Sequence, residues 1–212
     1  MKELLIKSLE LHDFRFLQET LESQTFVESI NHVNWENFTY CPKVTFRIGH
    51  TSTEIALKFS VSEKHIKAIE TRLNGDVYKD SCVEFFISFD NKNYYNFEFN
   101  SIGTVHLAYG PQRERRKYIP PDIIRQIKVE SSLGNQPFEE KSGDFYWELF
   151  ALIPKSCFTF NNMNSLNNTF ATANFYKCGD ETTTPHYISW SPVKTRQPDF
   201  HRPEYFGNIR FE

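Results

Sequence analysis

Two carboxylates near an aromatic ring are the first residues whose types and spacing suggest chemistry. Asp80 and Glu84 lie four apart in Val77-Tyr78-Lys79-Asp80-Ser81-Cys82-Val83-Glu84-Phe85-Phe86-Ile87. A glycoside hydrolase needs two carboxyl groups flanking one bond. On one continuous strand, residues four apart share a face at about 13 Å, from a rise of roughly 3.3 Å per residue. That is wider than retaining or inverting pairs require, so the spacing counts against catalysis unless the chain bends at Asp80. Glu148 is the other carboxylate such an enzyme would use. No nucleophile motif frames a Ser/His/Asp or Cys/His set. The seven histidines show neither His-x-His nor His-Glu-x-x-His spacing, and the four cysteines form no CxxC pair. His201-Arg202-Pro203-Glu204 reads as a loop-fixing element.

The remaining chemistry is that of recognition. Arg113, Arg115, Arg116 and Lys117 form a short basic run in a polar loop, whose ordinary explanation is solvation. An acidic ligand would be the functional one. The chain has 24 basic and 27 acidic residues, a net charge of −3. That balance is too mild for a nucleic-acid or membrane surface, and no nucleic-acid motif frames the basic run. Aromatics make up 16% of the chain, including 21 Phe and 10 Tyr. Phe fills a core, whereas Tyr and Trp also stack on sugar rings, and composition does not separate the roles. Trp35 and Trp147 read as core. Cys41, Cys82, Cys157 and Cys178 permit two disulfides without demanding any. Cys82 reads as a small buried hydrophobe.

The elements that must position these residues are short strands. Residues 44–49 and 54–61 alternate apolar and polar, as do residues 95–100. Residues 82–89 are almost wholly apolar, which fits a strand buried on both faces. Further strands are expected at 105–109, 123–130, 145–154, 170–177 and 206–211, with loops at 110–121 and 158–168. A long irregular stretch covers 178–203. Residues 14–21 suggest a short helix. Many strands, frequent turns and no long amphipathic helix predict an antiparallel β-sandwich of jelly-roll or immunoglobulin-like type. The division expected is an N-terminal arm at 1–40 packed on a body at 41–212. The first seven residues do not form a secretory signal, and no stretch approaches a membrane span. The compartment stays open, because a removed signal would leave no trace.

Several blocks occur in an order that resembles the family 9 carbohydrate-binding modules. Tyr78 to Phe86 resembles their "aromatic, x, Asp, x, x, Val-Glu, apolar" strand. Tyr95 to Gly103 resembles the strand and turn that follow. Trp147 to Pro154 resembles their "Trp-Glu, apolar, Ile-Pro" strand. Asn174-Phe175-Tyr176, Ser189-Trp190-Ser191-Pro192 and Phe206-Gly207-Asn208-Ile209-Arg210-Phe211 resemble the late strand, a Trp-bearing loop and the closing strand. The resemblance covers roughly residues 40–212.

The resemblance implies that a sugar end is held between Tyr78 and Trp190, with Glu84 taking hydroxyls. Family members often carry Trp at the position of Tyr78, so the stacking face here is smaller. Arg113 or Arg116 matches the family's arginine, and Asn174 and His186 complete the expected ligand-binding set. Some members bind structural calcium, but the resemblance does not place its ligands here. The expected partner is an oligosaccharide or polysaccharide in polysaccharide utilisation, with a glycan-degrading enzyme acting in trans. The chemistry agrees, because a pyranose offers an apolar face to aromatics and hydroxyls to charged and amide groups. Non-catalytic sugar binding is therefore the leading reading. A glycoside hydrolase using Asp80, Glu84 or Glu148 is the first alternative, and a protein-interaction sandwich without sugar binding is the second.

Overall fold

The computed structural model describes residues 2–10 and 16–212. Its strands form a curled sheet whose two halves face each other as a β-sandwich. One half runs β10 (Lys128–Ser131), β11 (Phe138–Pro154), β5 (Glu54–Ala68) and β4 (Lys43–His50). The other runs β14 (Gly207–Phe211), β12 (Phe170–Cys178), β6 (Cys82–Ser88), β7 (Tyr94–Asn100), β8 (Val105–Gly110) and β9 (Lys117–Tyr118). Inward-facing Phe46, Phe59, Phe85, Phe97, Phe175 and Trp147 are buried between the halves. Phe46 stacks on Phe175 at 3.9 Å between centroids, and Phe175 stacks on Phe85 at 4.9 Å. Each buried ring removes a large apolar area from water, so this column dominates the core energetically.

The N-terminal residues depart from the expected arm. β1 (Glu3–Ser8) lies between β14 and β4, pairing first with one and then with the other. β2 (Glu28–Ile30) pairs antiparallel with β4, and β3 (His32–Val33) pairs with β13 (Tyr187–Ser189). Residues 1–40 therefore supply strands to both halves, and residue 40 marks no structural boundary. Both β1 pairings are parallel, so the sandwich is mixed instead of purely antiparallel.

A helix, α1 (Leu17–Gln24), presses Leu17 and Leu21 onto Leu9, Ala56, Phe150 and Leu152. Phe14 and Arg15 of the expected helix lie outside the described residues. The strand expected near 123–130 is instead a helical turn, α2 (Pro121–Ile124), followed by β10. Pro121 at the first helical position explains the difference, because its fixed φ is suited to a helix start.

β6 is buried on both faces. Val83, Phe85 and Ile87 point into the sandwich. Cys82 and Phe86 point outward, under a second apolar layer of Trp35, Val77, Tyr94, Tyr176, Val193, Phe200 and Phe206. Segments 69–81 and 179–206, with Trp35, supply much of this cover, and polar side chains collect beneath it.

Candidate functional site

The outward face of β6 and β7 brings Glu84 and Glu98 together as direct cross-strand partners. The hairpin turns about Asn91, whose positive φ of 57° suits a tight turn. Each glutamate sits seven residues from that centre, which fixes them opposite one another. Both are almost wholly buried, at 3% and 4% exposure. Like charges so close and so dry disfavour double ionisation. Burial, reinforced by Glu98, pushes Glu84 well above the usual carboxylate range and favours its neutral form. The Cys178 thiol donates to Glu84 Oε1 at 3.1 Å.

Around this floor stand groups from three loops. Asn96 Nδ2 donates to Glu98 Oε1 at 2.5 Å, and Arg116 in turn donates to Asn96 Oδ1. Asp180 follows β12 and receives the hydroxyl of Tyr187. Burial pushes Asp180 up to about 6, with the Tyr187 hydroxyl pulling the other way and Glu98 adding to the rise. Tyr78 and Tyr187 are both half-buried against the outer apolar layer. Tyr78 O accepts from the Asp180 backbone N–H at 3.2 Å. Asp180 thus links the Tyr78 backbone to the Tyr187 hydroxyl at the start of β13. Phe38 backs Tyr187 edge-on at 4.8 Å.

The expected site residues divide sharply. Glu84 and Tyr78 belong to this constellation. Arg113 is exposed at its edge, paired with Asp199 at 3.0 Å, and its charge acts on Glu84 and Asp180. Arg113 and His201 also line a cleft of about 660 Å³ between the 111–114 and 195–204 loops. Arg116 lies inside the wall, donating to Tyr94 OH at 2.9 Å and Ala108 O at 3.2 Å. Its Nη1 is also 2.7 Å from His201 Nδ1, so most of its fork is spent on the protein. His201 is held here as a loop-fixing residue, packed on Phe86.

Three expected ligands are placed elsewhere. Trp190 is fully buried in the sandwich, edge-on to Phe175 at 5.6 Å, with Nε1 donating to Glu28 at 2.9 Å. No ring face is free to stack on a sugar, so Trp190 is a core residue. Asn174 clamps the loop after β13. It donates to Ser191 O at 2.9 Å and accepts from Ser191 N at 2.8 Å, leaving nothing for a ligand. His186 faces a buried network, with Nε2 2.7 Å from Lys177 Nζ, which pairs with Glu63 at 2.8 Å. Trp147 Nε1 completes that network by donating to Glu63 Oε1 at 2.7 Å.

The expected hydrolytic pairs do not assemble. Asp80 accepts the backbone N–H groups of Ile69 and Glu70 and the Asn100 amide, each at 2.9 Å, and so ties down a loop. Glu148 pairs with Lys58 at 2.9 Å on the other half of the sandwich. The expected calcium does not fit the one group of three convergent His, Cys, Asp or Glu ligands among the described residues. That group is Cys82, Glu84 and Cys178, whose thiols do not suit a cation that takes oxygen ligands. All four cysteines are free thiols. No helix among the described residues is long and apolar enough to cross a membrane.

Comparison with known proteins accords with this architecture. The model of carbohydrate-binding family 9 matches residues 16–211. A crystal structure of a "putative carbohydrate-binding protein" from Bacteroides uniformis is 38% identical, with a TM-score of 0.95. That match covers 100% of this chain and 99% of the other. A family 9 module from Caldicellulosiruptor kristjanssonii in complex with glucose is 12% identical, with a TM-score of 0.60, over 100% and 96% of the two chains. The same organism's module with cellotriose gives 12% and 0.59, over 100% and 94%. No curated protein matches the chain.

Proposed function

The chain belongs to carbohydrate-binding family 9, and on that premise we propose that it binds a sugar over Glu84 and Glu98, between Tyr78 and Tyr187. The observation that carries this reading is the opposed pair of buried glutamates, with the Glu98 charge felt by the half-buried Tyr78 and by Asp180, the partner of the half-buried Tyr187. A hydroxyl both donates and accepts. A glutamate pair holding one proton offers both roles side by side, and Asp180 and Arg113 extend the choice. Tyrosine rings can cover the apolar face of a pyranose while their hydroxyls are satisfied elsewhere, as that of Tyr187 is by Asp180. Asn96 and Arg116 act through Glu98, holding its carboxylate in one position.

The role is non-catalytic binding within polysaccharide utilisation, beside a glycan-degrading enzyme acting in trans. Of the three carboxylates named for a hydrolase, Asp80 and Glu148 are held in structural contacts, and only Glu84 lies in the site. Calorimetric titration with glucose and cellotriose, followed by a glycan array, tests the reading. Folded wild-type protein is expected to bind at least one glycan, and Tyr78→Ala and Glu84→Gln to weaken it tenfold or more. Failure of folded wild-type protein to bind any glycan, with and without added calcium, would favour the protein-interaction reading instead.

A further inference from the structure

Two cysteines that the binding reading does not use, Cys82 and Cys178, converge on Glu84 of the sugar floor. Cys82 and Glu84 are two residues apart on β6, so they share its outward face. Cys178 on β12 is the direct cross-strand partner of Cys82. One ligand atom from each of the three lies within 4.8 Å of the others. Cys178 Sγ and Glu84 Oε1 are already 3.1 Å apart. All three side chains are at least 97% buried. We propose that Cys82, Cys178 and Glu84 form a binding site for a thiophilic divalent cation of the zinc type.

The geometry supports this assignment. Zinc binds thiolate at about 2.3 Å and carboxylate oxygen at about 2.0–2.2 Å, usually with tetrahedral angles. Those lengths require ligand atoms roughly 3.5–3.8 Å apart. The observed separations lie within about an ångström of that range, so small side-chain rotations complete the site. A disulfide is a poorer fit, because directly opposed strand residues hold their Cβ atoms about 4.5–5.5 Å apart and a disulfide needs about 3.8 Å. Two thiols with one carboxylate select a soft or borderline cation over calcium or magnesium.

Binding displaces the two thiol protons to solvent, together with the Glu84 proton when it is carried. The metal then sits among two thiolates and one carboxylate, a net charge of −1. Lys177 acts on Cys82 and Arg113 acts on Glu84, and both charges favour that anion. Asp180 and Tyr187 stand beside Cys178, and Glu98 beside Glu84. Without metal, burial pushes the Cys82 thiol up to about 12, so metal must compete with two protons. Affinity should therefore rise with pH.

The site does not depend on sugar binding, and its test uses metal alone. Reduced, chelator-stripped full-length protein is titrated with Co²⁺ and then with Zn²⁺. One equivalent of cobalt is expected to give a thiolate-to-cobalt charge-transfer band, which zinc abolishes. Cys178→Ser should remove the band, Cys41→Ser should keep it, and Glu84→Gln should retain it with at least tenfold weaker affinity. Near-ultraviolet circular dichroism checks that each variant is folded. Absence of the band in wild-type protein would overturn the proposal without bearing on glycan binding. So would its survival in Cys178→Ser, or a Cys82–Cys178 disulfide in the isolated protein. Should Cys178→Ser fail to fold, the wild-type spectrum and Glu84→Gln still decide the matter.

Discussion

Replacing Asp180 by Asn should make the protein more stable at neutral pH and leave it nearly unchanged in acid. Asp180 titrates at an ordinary 3.8 in an unfolded chain and at about 6 in the fold, chiefly because it is buried. The folded state therefore holds its proton more tightly than the unfolded state. Stability from this group is fully present below pH 3.8 and is lost as pH rises towards about 6. At ~1.4 kcal/mol per tenfold difference in proton affinity, the loss is about 3 kcal/mol, and solvent around a partly exposed carboxylate reduces it to about 2. Asn keeps an acceptor for the Tyr187 hydroxyl but cannot ionise. Glu84 feels the Asp180 charge, so its response adds to the same trend. The assay is urea denaturation of wild type and Asp180→Asn at about pH 4 and about pH 7.5. The difference between the two proteins should grow by about 2 kcal/mol in favour of the variant. A difference that does not change with pH would refute the argument that Asp180 is held ionised at a cost to the fold.

Trp190→Ala should lower stability by about 3–5 kcal/mol, measured by denaturant unfolding, because it empties a core site. Tyr78→Ala should stay folded and lose glycan affinity, and calorimetry on both variants separates structural from binding loss. Glu63→Ala should cost about 3–5 kcal/mol in thermal or urea unfolding, since it leaves the fully buried Lys177 ammonium without its counter-charge. Gly207→Ala should cost about 1–3 kcal/mol by the same measurement. Its added Cβ would sit 2.5 Å from the Trp190 ring and 2.9 Å from Lys2 O.

The strand pattern was largely legible because strict alternation marks one buried face, as in Tyr95, Phe97 and Phe99. The same alternation puts Asn96, Glu98 and Asn100 on the other face. Glu98 was readable as the partner of Glu84 once the hairpin was centred on Asn91, but motif resemblance alone drew attention only to Glu84. Trp190 was misread because Ser and Pro neighbours suggest a loop, whereas contacts with Phe46 and Phe175 determine its burial. Those contacts reach 15 and 144 positions back along the chain, and no local pattern announces them. Tyr187 gave a weaker signal still, an aromatic in an irregular stretch. β1 escaped notice for a related reason. Its partners are β14 and β4, and the weak alternation of six residues does not reveal parallel pairing. Cys82 and Cys178 became neighbours only through the register of β6 and β12.

The place of β1 also has a consequence during synthesis. Glu3 pairs with Asn208, and Lys7 bonds Glu212 at 2.7 Å across 205 residues of chain. Until β14 leaves the ribosome, β1 can find only its short pairing with β4, and most of its backbone groups remain without strand partners. Such long-range closure slows folding and prolongs the exposure of an unpaired strand edge. The sandwich is thus completed late, by joining its earliest strand to its last. A nascent chain stalled before residue 207 should be far more open to proteases than its finished core suggests.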